Sequence, residues 1–285
     1  MPSLKDIRRR ITSVRKTQQI TSAMRMVAAA KLRRAQDAIL AARPYADRMR
    51  DTLAEVAAAQ RDSQHPLLVQ RDPVRRLEVV VLVSDRGLCG AFNANVLKAS
   101  EALLRQRESG LERVSLTLVG RKANDFYRRR RVGAVSRTVT GIGRVEYGHA
   151  AAIAAHLSER YRSGEADEVV LVFSEFVSTM NQRPRAVRLL PFAPAEQTGQ
   201  KLPYAIEPSP EKLLEVLVPK ALEVQVFRAL LENQAGEHAA RMAAMESATR
   251  NTQELIESLT LKYNRARQAA ITKELVEIVS GAEAL

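Results

Sequence analysis

A chain of 285 residues with 46% hydrophobic content and a mean hydropathy of -0.22 has the composition of an ordered soluble protein of one large or two small domains, which excludes a disordered chain. Its net charge of +13 asks for an acidic partner, and charge alone does not choose between nucleic acid, anionic lipid and an acidic protein surface. Cys89 is the sole cysteine, so an intramolecular disulfide and a two-thiol redox switch are excluded, in keeping with a reducing compartment.

The first ten residues contain no apolar stretch resembling a secretory signal, and no apolar run approaches the ~20 residues that cross a bilayer, so the expectation is a soluble or peripheral chain. The arginine-rich, acid-poor start would also suit a mitochondrial presequence, but it belongs to a long periodic helix. From Ile7 the positions Ile11, Val14, Gln18, Thr21, Arg25, Ala28, Leu32, Ala35, Ile39, Ala42, Ala46, Met49, Leu53 and Val56 advance by alternating steps of four and three. That heptad predicts a helix about 75 Å long, supercoiled with a partner and locally bent at Pro44. Arg8, Arg9, Arg10, Arg15, Lys16, Lys31, Arg33 and Arg34 make it basic.

After a loop holding His65, Pro66 and Pro73 the period changes. Residues 77–83, 114–119, 168–176 and 186–190 read as strands, and 92–107 and 147–162 as helices, which predicts a small α/β domain with a mostly parallel sheet. A proline-rich, polar stretch at 191–210 returns the chain to a second long helix. Leu217, Val224, Phe227, Leu231, Met245, Ala248, Leu255, Leu259, Ala266, Ala269 and Val276 supply its seam, with Pro219 near its start. Each long helix is the nearest available partner of the other. The fold class is therefore α+β: an antiparallel coiled coil of the two termini (1–60 and 208–285) plus a Rossmann-like α/β domain (75–192). Alanines bring the helices close, while Gln18, Thr21 and Arg25 on one seam and Arg241 and Thr252 on the other make parts of it polar.

Three stretches carry a resemblance: TQQITSAMRMVAAAK at 17–31, SDRGLCG at 84–90 and ITKELVEIVSGA at 271–282. Together with Glu232-Asn233 and ARMAAM at 240–245, they resemble the signature regions of the gamma subunit of F-type ATP synthases, over nearly the whole chain. The resemblance implies a non-catalytic central rotor stalk, without cofactor or metal. It would couple ion-driven rotation of a c-ring to conformational change in catalytic beta subunits, with an alpha-beta hexamer and an epsilon subunit as further partners. It would lie at the cytoplasmic face of a bacterial cell membrane, touching the membrane only through the complex. Residues implied in rotor contact and coupling are Met24, Arg25, Arg241, Gln268, Thr272 and Glu274, with Tyr204 and Glu207 toward the c-ring and epsilon.

Read without the resemblance, 84–90 follows a strand but lacks the Gly-x-x-x-x-Gly-Lys-Ser/Thr spacing of a phosphate loop, so it reads as a glycine-permitted turn with Cys89 packed as a small apolar side chain. Gly141 and Gly143 lack the rest of a dinucleotide fingerprint. His65, His149, His156 and His238 have no ligand spacing. Two other classes of function stay open on the residues alone: a basic coiled-coil module on nucleic acid, and an enzyme built on the α/β segment.

Overall fold

In the computed structural model the chain is described over residues 3–59, 65–107, 110–130, 133–192 and 209–283. Helix α1 (Leu4–Ala59) opens on a capping box: the Asp6 N–H donates to Ser3 Oγ at 3.2 Å, and the Asp6 carboxylate accepts from the Ser3 N–H at 3.3 Å. It runs on through Pro44. Strand β1 (Arg76–Leu82), helix α2 (Phe92–Arg107), strand β2 (Arg113–Val119), the short helix α3 (Arg121–Tyr127), strand β3 (Ala134–Val139), helix α4 (Tyr147–Arg162) and strands β4 (Glu168–Phe176) and β5 (Gln182–Leu190) follow. Helix α5 (Pro210–Glu283) closes the chain, its first turn capped by Ser209, whose Oγ accepts from the Lys212 N–H at 3.4 Å, and it continues through Pro219.

The strands form one sheet in the order β3-β2-β1-β4-β5, parallel except for β5, which pairs antiparallel with β4. Both faces of β1 are covered, as a central parallel strand requires, so Leu77 to Leu82 are all buried. Alternate side chains divide two cores. Leu77, Val79 and Val81 pack with Val96, Leu97 and Leu104 of α2 and Tyr127 of α3, while Val80 and Leu82 join Ile153 and Leu157 of α4 and Leu222 and Val226 of α5.

The chain divides into two compact units, residues 1–29 with 241–285 and residues 30–240. In the first, helix pairs with helix antiparallel, partner numbers falling as those of α1 rise: Gln18 Nε2 donates to Gln253 Oε1 at 2.7 Å, Thr249 Oγ1 donates to Thr21 Oγ1 at 2.8 Å, and Arg25 lies 4.0 Å from Glu246. The seam expected on α1 is the face this helix covers. Ile7, Thr21 and Ala28 are buried, and Ile11, Val14, Gln18 and Arg25 are half-buried. The seam expected on the later part of α5 holds at Met245, Leu259 and Ala266 and slips at Leu255. Leu255 is exposed and Ile256 is buried in its place, and Met245, Thr249, Thr252, Ile256, Leu259, Tyr263 and Ala266 form the covered stripe. Those positions advance strictly by four and three, whereas the step from Ala248 to Leu255 follows a neighbouring row. Ala269 and Val276 are exposed.

In the larger unit α1 continues with Leu32, Ala35, Leu53 and Val56 buried, and α5 is covered on nearly every side between Val218 and Ala239.

Candidate functional site

The smaller unit carries most of the residues singled out by sequence. Met24 and Arg25 are half-buried beside the seam, and Arg25 and Glu246 are each about half exposed, at 43% and 51%. An exposed pair of that kind contributes at most about 1 kcal/mol, so Arg25 is not there to hold the helices together. Arg241 is half-buried; Gln268, Thr272 and Glu274 are exposed. Tyr204 and Glu207 lie outside the described residues.

Every residue from 271 to 280 is exposed, on all sides of the helix. Ile271, Leu275, Val276, Ile278 and Val279 are among them, 49–68% exposed. Five large aliphatic side chains within nine residues of bare helix are a surface that water does not stabilise. The seam beneath is thin and polar by comparison, built on alanines and the Gln18–Gln253 and Thr21–Thr249 hydrogen bonds.

In the larger unit the natural place to look for chemistry is the crevice outside the carboxyl ends of β1 and β4, where the strand order reverses and an open α/β sheet holds its ligand. Here α5 fills it. The Asn233 side-chain Oδ1 accepts from the Ser174 N–H of β4 at 3.4 Å, and Gly236 lies against Phe92, Gln182 and Ser174, where an added Cβ would stand 3.1 Å from Phe92 Cε2. The close approach of the helix leaves room there for little more than a hydrogen or a methyl group. Gly236→Leu should therefore lower stability by about 1–3 kcal/mol through overpacking, while Gly236→Ala should be near neutral because the ring can give and alanine favours the helix. Urea denaturation of both variants checks this; equal midpoints would count against the close approach.

The 84–90 stretch forms a bracket rather than a cradle. Asp85 accepts from the Arg121 N–H and the Gly141 N–H, both at 2.9 Å, tying together the loops after β1, β2 and β3. Asn93 accepts from the Ser84 N–H at 2.9 Å and donates to the buried Cys89 sulfur at 3.2 Å. The Phe92 N–H at the start of α2 is already bonded to the Cys89 carbonyl. The turn's left-handed residues are Leu88 and Gly90, and the Leu88 side chain is exposed.

Sequence reasoning missed the buried carboxylates Glu78, Asp167 and Glu168. Glu78 on β1 is wholly buried, accepting from Thr117 and Ser136 at 2.6 Å and from Arg160 Nε at 2.9 Å, so a charge that would be costly alone is fully paired. Asp167, before β4, accepts from the Arg75 and Arg76 N–H groups at 3.1 and 2.8 Å and pairs with Arg71 at 3.4 Å. Burial alone would raise its pKa, but these donors outweigh it and hold it below the ordinary carboxylate value. A third polar cluster lies where α4 meets α5. The Tyr147 hydroxyl donates to Glu223 at 2.6 Å, Lys220 pairs with Glu223 at 2.9 Å, and the Lys220 ammonium stands 4.7 Å over the Tyr147 ring. Nearby, a recess of about 350 Å³ is walled by Ile39, Tyr45, Tyr147, Val224, Phe227 and Leu231. Its surface is mainly apolar; Arg43, Asp47, Arg228 and Glu232 border it as well, and Arg228 is held by Glu232 at 2.8 Å.

Comparison with known proteins gives one consistent result. The profile of the family described as ATP synthase matches residues 3–285. The chain is 53% identical to the ATP synthase gamma chain of Anaeromyxobacter sp. strain Fw109-5 and 48% identical to that of Pelotomaculum thermopropionicum, covering all of each chain in both cases. Among solved structures it is similar to a chain of the central stalk and c-ring of the Tetrahymena thermophila mitochondrial ATP synthase. The identity is 26% and the TM-score 0.61, over 80% of this chain and 99% of that one.

Proposed function

This chain belongs to the ATP synthase gamma chain family, and from that premise we propose that it is the non-catalytic central rotor stalk of an F-type ATP synthase. The smaller unit enters the cavity of an alpha-beta hexamer. The end of the larger unit where α5 begins rests on the membrane ring of c subunits, with epsilon beside it, at the cytoplasmic face of a bacterial membrane. Ion flux turns the ring and the shaft with it.

The observation that carries this reading is the bare apolar end of α5. A helix that exposes Ile271, Leu275, Val276, Ile278 and Val279 needs an enclosing partner, and a sleeve of surrounding subunits supplies one. Because α1 and α5 are unlike, the rod has no threefold symmetry, so three equivalent catalytic sites around it meet three different surfaces. Only such a difference in contact energy can bias their conformations. The chemistry stays in the beta subunits. The filled crevice between β1 and β4 supports a chain that binds no nucleotide of its own.

Met24, Arg25, Arg241, Gln268, Thr272 and Glu274 are the residues through which the shaft engages the surrounding loops, and Met24 gives the sharpest test. It is half-buried at the edge of the seam, where its thioether can slide past a neighbour. In Met24→Lys the new ammonium pairs with an acidic loop in some rotational states and not in others, deepening one well by about 1–3 kcal/mol. The assembled complex should then hydrolyse ATP while the ratio of ions pumped to ATP hydrolysed falls severalfold. An unchanged ratio would remove Met24 from the coupling surface. Failure of the wild-type chain to co-purify with the alpha-beta hexamer would overturn the stalk reading as a whole.

A further inference from the structure

In a parallel sheet flanked by helices, every helix that follows a strand ends at the edge where the strands begin. Here that edge is an arginine surface. Helix α2 ends on Arg105 and Arg107, α3 is followed by Arg128, Arg129 and Arg130, and α4 ends on Arg160 and Arg162. Strands β1 and β2 open on Arg76 and Arg113, which are register partners. A basic residue at a helix C-terminus answers the helix dipole, which accounts for one at each helix end but not for the whole set.

The carboxylates of this edge are sunk beneath the arginines. Asp167 and Glu168, with side chains only 7% and 5% exposed, hold Arg71, Arg76 and Arg107 from below, while those arginine side chains stay 30–45% exposed. Glu101 holds Arg130 at 3.2 Å, and its guanidinium lies 3.6 Å over the Phe126 ring. The forks are thus fixed with an outer face left open. Of the exposed acids among the described residues of this edge, Glu112 takes Arg75 and Glu165 takes Arg160, leaving Asp72 and Glu159. Arg105, Arg113, Arg128, Arg129 and Arg162 are exposed, and none has a carboxylate partner among the described ion pairs. Each of these cations is arginine, whose planar fork matches phosphate oxygens two at a time.

The same edge lies at the end of the larger unit where α5 begins. Leu67, Tyr161, Leu214 and Val218 share one core cluster, and the Phe192 N–H bonds to the Leu67 carbonyl. That is the end assigned above to the membrane ring, and the inference rests on that reading. We propose that the strand-start edge of the sheet is a docking surface for the anionic phospholipid headgroups of the bilayer around the ring. It supplies electrostatic contact without deep insertion, because arginine forks far outnumber its exposed large apolar side chains, Val69 and Val135.

The test is flotation of the full-length chain with vesicles of phosphatidylcholine containing about one quarter phosphatidylglycerol, against phosphatidylcholine alone. The chain should bind the anionic vesicles only, and lose most of that binding as salt rises from about 50 to 200 mM. Replacing Arg105, Arg113, Arg128 and Arg129 by glutamine should weaken binding about fivefold per arginine, more than a hundredfold in all. A control with Arg9, Arg10, Arg15 and Lys16 of α1 changed to glutamine has the same net charge and should keep its binding to within about threefold. Equal losses in the two variants would mean that net charge alone attracts the chain, and would overturn the proposal. So would an undiminished variant, or tighter, equally arginine-dependent binding to a short DNA duplex. Co-purification with the alpha-beta hexamer reads the stalk assignment separately: a four-arginine variant that still assembles but fails to float carries a lipid defect alone.

Discussion

Gly120→Ala is expected to lower the stability of the α/β sheet by at least about 4 kcal/mol and the melting temperature by about 10 °C. Gly120 closes β2 and opens α3 at φ 98° and ψ 138°, a conformation that side chains with a Cβ rarely adopt. Its surroundings make matters worse. An alanine Cβ would stand 2.2 Å from the Val83 carbonyl oxygen, 2.7 Å from the Val83 carbonyl carbon and 3.1 Å from that of Ser84, all backbone. Nothing there can rotate away, because the Val83 N–H is bonded to the Val119 carbonyl and the Gly120 N–H to the Val139 carbonyl. Gly110 supplies the control, with φ 99° and nothing within 4 Å of where an added methyl group would stand, so Gly110→Ala should cost only the backbone strain of about 1–2 kcal/mol. Similar losses in the two variants, measured by thermal unfolding, would mean that the close approach at Val83 does not constrain the sheet.

The positions that sequence made legible are those where one periodicity dominates. The heptad of α1 is visible over its length because a single partner stripe covers it, and Thr21 and Ala28 are buried where that period puts them. On α5 the same reasoning slipped by one residue at Leu255, since leucine, isoleucine and alanine crowd adjacent rows and the true stripe uses Thr249 and Thr252. Two elements were not foreseen. Strand β3 carries Ser136, Arg137 and Thr138 and is mostly uncovered, as an edge strand can be, and α3 is seven residues long, too short for a helical period to show. Strand β5 begins four residues earlier than expected, through Arg183, Pro184 and Arg185, residues that mark an edge strand rather than a loop. Val276 belongs to the seam expected from the sequence, and only the structure shows it bare, together with Ile271, Leu275, Ile278 and Val279. No local pattern announces Asp167 or Glu78 as buried, because the partners that hold them, Arg71 and Arg160, lie far away along the chain.

Asp167→Ala should cost about 3 kcal/mol near neutral pH and progressively less in acid. The carboxylate joins three segments, accepting from two successive backbone N–H groups at the entry to β1 and from Arg71, whose guanidinium also donates to the Ala166 and Tyr161 carbonyls at 3.0 and 2.6 Å. Removing it leaves two part-buried donors without their acceptor and unfastens Arg71, and hydrogen bonds to a charged acceptor contribute about 1.5–3 kcal/mol each before relaxation. The pH dependence follows from the direction of its shift. Burial raises the pKa, but the Arg76 and Arg75 N–H groups, the Arg76 charge and Arg71 together bring it below 3.8. A carboxylate whose folded pKa is depressed contributes stability that is fully present above its unfolded value, near 3.8, and is lost as pH falls through the folded one. The urea midpoints of wild type and Asp167→Ala should therefore be well separated at pH 7 and converge below about pH 4. Asp167→Asn separates charge from geometry: its amide oxygen can still accept from one backbone N–H, so it should recover part of the loss at pH 7. A gap between wild type and alanine variant that stays constant from neutral pH down to about pH 3 would show that Asp167 acts by packing and not by its charge.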